Sequence, residues 1–203
     1  VAGHARRGEV LAHFLQHAAN LHDLRIGPAD QELLVARVGV NLRNEGTAQA
    51  FVSAGNTGAV MATAKILLGS IEGVDRPAIA VTAPARHGKV LILDAGANLD
   101  CKPHHFRQFA VMGYLYARAV HGLENPRVGL LSVGEEDTKG TDTTREVFKV
   151  LRESRINFIG NVEGNDLYSG RVDVVVTDGF TGNVALKVSE SLAENIKTTF
   201  TEE

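Results

Sequence analysis

The stretch Val172–Lys187, VDVVVTDGFTGNVALK, constrains this chain more than any other. Val172 and Val174–Val176 form a short run that is apolar except for Asp173. Such a run suits a strand buried on both faces of a parallel sheet. It stops at Thr177-Asp178. Gly179, Thr181, Gly182 and Asn183 follow, and helical spacing begins at Val184, Leu186 and Val188. The pattern predicts strand, glycine-bearing turn, helix. In an open α/β sheet that turn lies at the carboxyl ends of the strands, where ligands bind. The first N–H groups of the helix have no internal partner, and its dipole favours negative charge there.

An upstream segment repeats the pattern. Gly55-Asn56-Thr57-Gly58-Ala59-Val60 aligns with Gly179–Val184 as G-x-T-G-x-V. The expected context is a strand closing at Phe51-Val52 and a helix over Gly58–Leu68, whose small residues let it pack closely on the sheet. The remaining pattern alternates. Helices are expected over Glu9–Leu21, over Leu33–Asn44 after a turn at Gly27–Asp30, from Pro103 to about Val120, and over Thr143–Ser154. Strands are expected at Pro77–Thr82, Lys89–Leu93, Arg127–Leu131 and Asn157–Ile159. Gly46 suits a helix C-cap and Asp100 an N-cap. This alternation predicts an α/β fold with a mostly parallel sheet and helices on both faces. It is expected to form one catalytic domain over residues 1–203.

Composition narrows the function classes. The net charge of −3 implies no general affinity for nucleic acid. The single Cys101 excludes an internal disulfide and suits a reducing compartment, so a cytoplasmic location is expected. No apolar run approaches the roughly 20 residues that span a bilayer.

Four strand ends carry polar, glycine-bearing loops: 53–58, 94–98, 132–140 and 178–183. They offer backbone N–H groups, Asn and Thr side chains, and the nearby Lys102, Lys139 and Lys187. This set suits an anion and a polarised carbonyl. Ser-His-Asp and Cys-His patterns are absent, as are the glycine-rich nucleotide signatures. Cys101 beside Lys102 is either an activated thiolate or a small buried residue. His13 and His17 stand i, i+4 but lack a third ligand, so no metal is expected; no cofactor is expected either. Simpler roles stay open: turn caps for Asp94 and Asp178, a left-handed turn position for Asn98, a solvated cluster for Glu135-Glu136-Asp137, a surface lysine for Lys187.

The segments SAGNTGA (53–59), LDAGANLDCKP (93–103), GEEDTKG (134–140) and DGFTGNVALK (178–187) together resemble the bacterial phosphate acyltransferases, the fatty acid/phospholipid synthesis proteins of the PlsX type. The similarity runs in order from about Leu42 to Lys187. Ser132 stands where that family usually has Asn. Several family segments have no counterpart here: the opening Asp-rich strand, a Lys-Asp-Ser-Ser segment near 30–35, and the C-terminal helices. The domain is therefore expected to be incomplete at both ends and near 30–35. The resemblance implies a three-layer α/β/α fold, similar to the isocitrate/isopropylmalate dehydrogenase and phosphotransacetylase group. It also implies transfer of a fatty acyl group from acyl carrier protein to inorganic phosphate, for phospholipid synthesis. A homodimer, a peripheral contact with the inner face of the membrane and a downstream membrane acyltransferase are implied partners.

Under this reading the catalytic candidates are Asn98, Lys102, Asn183 and Lys187. Phosphate and thioester would be held by Gly55, Asn56, Thr57, Gly58, Asp94, Gly96, Glu135, Asp178, Gly179, Thr181 and Gly182. The alternatives are a phosphotransacetylase acting on CoA thioesters, a metal- and nucleotide-dependent dehydrogenase, whose clustered Asp ligands are not evident, and a non-catalytic acyl-carrier-binding protein.

Overall fold

A computed structural model describes residues 28–201. The helix expected over Glu9–Leu21, with His13 and His17, lies outside the described residues. The chain divides into two compact units, Val1–Pro77 and Ala78–Glu203.

The described part of the first unit is a helix pair, α1 (Pro28–Asn44) and α2 (Thr57–Leu68). Ala36 and Val40 are buried, one helical turn apart on one face of α1. Residues 28–30, expected in a turn, are already helical. Gly46 has φ 74° and its N–H donates to Arg43 O, as a helix-ending glycine does. No strand forms at Phe51-Val52. Two apolar residues are too few to hold a ladder, and Phe51 is used elsewhere: a Cβ on Gly39 would stand 2.2 Å from its ring. Within this unit α2 packs on α1. Asn56 caps α2 by accepting from Ala59 N at 3.0 Å.

The second unit holds a five-stranded sheet of order β1-β2-β5-β3-β4. The strands are β1 (Ala80–Ala85), β2 (Gly88–Leu93), β3 (Val128–Leu131), β4 (Phe158–Val162) and β5 (Val174–Val176). β2, β5, β3 and β4 run parallel. β1 departs from the expectation, starting three residues later and pairing antiparallel with β2 as an edge hairpin. Its turn is closed by Gly88 at φ 105°, a conformation that favours glycine.

Three helices cover the sheet: α3 (Pro103–His121), α4 (Asp142–Arg152) and α5 (Gly179–Thr201). On one face Leu91, Leu93, Leu130, Val174 and Val176 pack with Phe106 and Phe109 of α3 and Val147, Phe148 and Leu151 of α4. A Cβ on Gly113 of α3 would meet Val174 at 2.5 Å, so helix and strand touch through a missing side chain. On the other face Val90, Ile92, Val162 and Val175 pack with Ala185 of α5. The fold is α/β with a mostly parallel sheet flanked by helices. Complete burial of each β5 valine contributes about 2 kcal/mol. That explains how three residues suffice for a central strand.

Helix starts in this unit also differ from the sequence pattern. The N-cap of α3 is Lys102, not Asp100, because Pro103 is suited to the first helical position and fixes the start there. α5 begins at Gly179, so the expected turn over 179–183 is the first helical turn itself. At the amino end of the sheet Arg127 clasps Asp173: its Nε donates to Oδ2 at 2.9 Å and its Nη2 to Oδ1 at 2.8 Å. Burial works against the charged Asp173, but the Arg127 hydrogen bonds and charge outweigh it and hold its carboxyl below the usual range. No described helix is long and apolar enough to cross a membrane.

Candidate active site

Because β2, β5, β3 and β4 are parallel, their carboxyl ends define one edge, carrying the segments 94–98, 132–140, 163–171 and 177–183. Three of the four expected loops therefore share an edge. The fourth, 53–58, belongs to the other unit.

Segments 94–98 and 178–183 meet without clearance. Gly179 N–H donates to Asn98 O at 2.7 Å. A Cβ on Gly179 would stand 2.7 Å from Asn98 N, and one on Gly182 would stand 1.9 Å from Asp94 O. These two glycines are demanded by space, not by a turn: only a bare helical face fits on the backbone of the 94–98 loop. Gly96, at φ +131°, faces Asn183, whose Oδ1 would be 3.6 Å from a Cβ there. Asn183 is otherwise exposed at the edge.

Asp94 is fully buried. Its Oδ1 accepts from Ile79 N at 2.9 Å and Ala97 N at 3.0 Å. Its Oδ2 accepts from Asn98 N at 2.7 Å and Asn98 Nδ2 at 2.8 Å. Asn98 is itself buried, and its φ is not positive, so the left-handed position considered for it is not adopted. Asp178 caps α5: Thr181 N–H donates to its Oδ1 at 2.8 Å and Thr181 Oγ1 to its Oδ2 at 2.9 Å. The anion-favouring start of α5 thus already holds a carboxylate.

The lysines are exposed. Lys102 follows the 94–98 loop closely at the start of α3, with its backbone N–H donating to His105 Nδ1 at 3.1 Å. Lys187 lies one helical turn beyond Asn183, and its Nζ pairs with Glu190 at 2.8 Å. Cys101 is half-buried, its Sγ 3.4 Å from Asn98 O.

Glu135 sits in a second group on the same edge. It pairs with Arg171, which also lies 3.4 Å from Asp166. Asn161, at the end of β4, donates from Nδ2 to Glu136 O at 2.9 Å. Its Oδ1 and Ser132 Oγ are buried without a hydrogen-bond partner among the described residues. Arg171, Asp166 and Asn161 are missing from the sequence-based candidates because β4 was expected to end at Ile159. A strand extended to Val162 puts Asn161 at the carboxyl edge of the sheet.

In the first unit, Gly55 N–H donates to Ser53 Oγ at 3.1 Å and Asn56 caps α2, so the 55–58 segment is a helix start with its own cap. The two G-x-T-G-x-V copies are therefore not structurally equivalent. Thr57 opens α2, whereas Gly179, two alignment positions earlier, opens α5.

A family model described as "Fatty acid synthesis protein" matches residues 34–203. A protein of Acidobacterium capsulatum named "Phosphate acyltransferase" is 55% identical over 161 residues, which are 79% of this chain and 48% of that protein. A protein of the same name from Elusimicrobium minutum is 50% identical over 184 residues, 89% of this chain and 54% of that one. The chain spans about half the length of the curated relatives it matches. Among solved structures, a branched-chain phosphotransacylase from Enterococcus faecalis V583 aligns with TM-score 0.55 and 17% identity, covering 80% of this chain and 65% of that chain. That likeness concerns the fold.

Proposed function

The chain belongs to the fatty acid synthesis protein family, and we propose that it acts in transferring a fatty acyl group from acyl carrier protein to inorganic phosphate. The product, an acyl phosphate, would feed phospholipid synthesis. The observation that carries the reading is the junction of the 94–98 loop with the start of α5. It brings Asn98 close to the helix that carries Asn183 at the carboxyl edge of the sheet, in a chain whose curated relatives are named phosphate acyltransferase.

The chemistry requires no protein nucleophile. A phosphate oxygen attacks the thioester carbonyl carbon, and the carbonyl oxygen becomes an oxyanion. Collapse of that adduct breaks the C–S bond and expels the carrier thiolate, which takes up a proton from solvent. Asn183, Lys102 and Lys187 are the proposed donors to developing charge, with Asn98 as the buried amide behind them. A well-placed donor lowers the barrier by about 3–4 kcal/mol. Phosphate would be held by first-turn N–H groups, near Gly58 in the first unit or near Gly182 in the second. At the second position Asp178 would have to yield. We assign the work to one homodimer with a peripheral membrane contact.

The test is phosphate-dependent release of free carrier protein from acyl carrier protein by the full-length protein. Turnover with carrier and little with acyl-CoA is expected. Preference for acyl-CoA would select the phosphotransacetylase reading, and carrier binding without turnover would select the binding protein. Cys101→Ser should keep most of the activity, with no acyl-enzyme by mass spectrometry. Trapping an acylated Cys101 would overturn direct attack.

A further inference from the structure

We infer that Asp94 is a positioning residue, a buried carboxylate that sets the side-chain amide of Asn98 and does not touch substrate. The inference rests on the acyl-transfer reading above. A strand-ending aspartate at the ligand edge invites assignment to substrate, but its surroundings argue otherwise. Asp94 is 0% exposed, and its two oxygens accept four N–H groups, from Ile79, Ala97, Asn98 N and Asn98 Nδ2. A carboxylate offers about four acceptor sites. All are taken by the protein, and a phosphate would in any case be repelled by a neighbouring carboxylate.

The consequence falls on Asn98. With Nδ2 directed at Asp94 Oδ2 at 2.8 Å, the amide has one permitted orientation. Turned over, its Oδ1 would face a carboxylate oxygen at the same distance, acceptor against acceptor. Asp94 therefore decides which end of this amide faces away from it. The same carboxylate takes Asn98 N–H at 2.7 Å, and Asn98 O in turn accepts the N–H of Gly179, the first residue of α5. Side-chain orientation and the helix start are set from one anchor.

The experiment uses the full-length protein. Asp94→Asn replaces one acceptor oxygen by an NH2 donor facing other donors. Its kcat is expected to fall by at least about tenfold, with KM for phosphate within about twofold. Asn98→Ala should fall comparably. Because the two residues act as one unit, Asp94→Asn/Asn98→Ala should lie within about threefold of the poorer single variant. A double variant in which the two losses multiply, or an Asp94→Asn enzyme with unchanged kcat, overturns the inference. If Asp94→Asn does not fold, Asn98→Asp decides instead. It keeps an acceptor, removes the Nδ2 donor and sets two carboxylates face to face, so it should be no more active than Asn98→Ala. Near-wild-type activity overturns the inference.

An independent readout separates this inference from the functional reading. The Asn98 side-chain amide should be exchange-protected in the 1H–15N spectrum of the wild type and lose that protection in Asp94→Asn. If the wild type shows no phosphate-dependent transfer, the functional reading fails and amide protection alone decides the positioning. An unprotected Asn98 amide in the wild type overturns it.

Discussion

A glycine can be required by its φ or by its neighbours, and Gly182 is required by its neighbours. The atom a Cβ would strike is Asp94 O, backbone at 1.9 Å, so no side chain can swing aside to make room. Gly182→Ala must push α5 off the 94–98 loop. Overpacking of this kind costs about 1–3 kcal/mol, so the variant is expected to melt several degrees lower and to lose activity with the displaced Asn183. Gly164 supplies the control, with nothing among the described residues within 4 Å of its added Cβ. Gly164→Ala should stay within about 0.5 kcal/mol of wild type. Thermal unfolding of the two variants checks this, and a Gly182→Ala protein that melts like wild type would refute the close approach.

At the scale of elements, the Arg127–Asp173 clasp joins the amino ends of β3 and β5 and titrates in a known direction. The folded-state pKa of Asp173 lies below its unfolded value. Its contribution is therefore present above the unfolded pKa, about 3.9, and is lost as pH falls through the lower folded value. Stability to urea should drop below about pH 4, and Asp173→Asn should flatten that part of the drop. Identical acid limbs in both proteins would show that the clasp carries no linkage. β5 was legible in the sequence because three consecutive valines leave few alternatives to a buried strand. The hairpin at Arg86-His87-Gly88 was not, since it lacks the Asn-Gly or Asp-Gly turn that announces one. Phe51-Val52 looked like a strand because an apolar pair does not reveal its partner, here the bare face of α1 at Gly39. The candidate residues near 94–98 and 178–183 were legible as loops at strand ends. What each does was not, because Gly182 takes its role from the distant Asp94 backbone, and Asp94 takes its role from its burial and from the conformation of the 95–98 loop.

For the whole molecule, α5 carries an apolar ridge at every fourth residue: Phe180, Val184, Val188, Leu192, Ile196 and Phe200, each at least 47% exposed. Exposed apolar stretches of this kind drive association. The chain alone is expected to bind hydrophobic dyes and to sediment as a concentration-dependent mixture. Leu192→Lys with Ile196→Lys should reduce both without lowering the melting temperature, and a monomer at all concentrations would refute this. The zero-clearance junction at Gly182 has a further consequence, in time instead of space. Its partners are far apart along the chain, Asn98 to Gly179 being 81 positions. Contacts of such separation are slow to form, since loop closure precedes any gain. The 94–98 loop is therefore expected to seat only after β2 and β5 have paired and α5 has docked. The proposed site at the carboxyl edge is thus expected to be among the last parts completed, and recovery of activity on refolding should lag behind the return of helical signal.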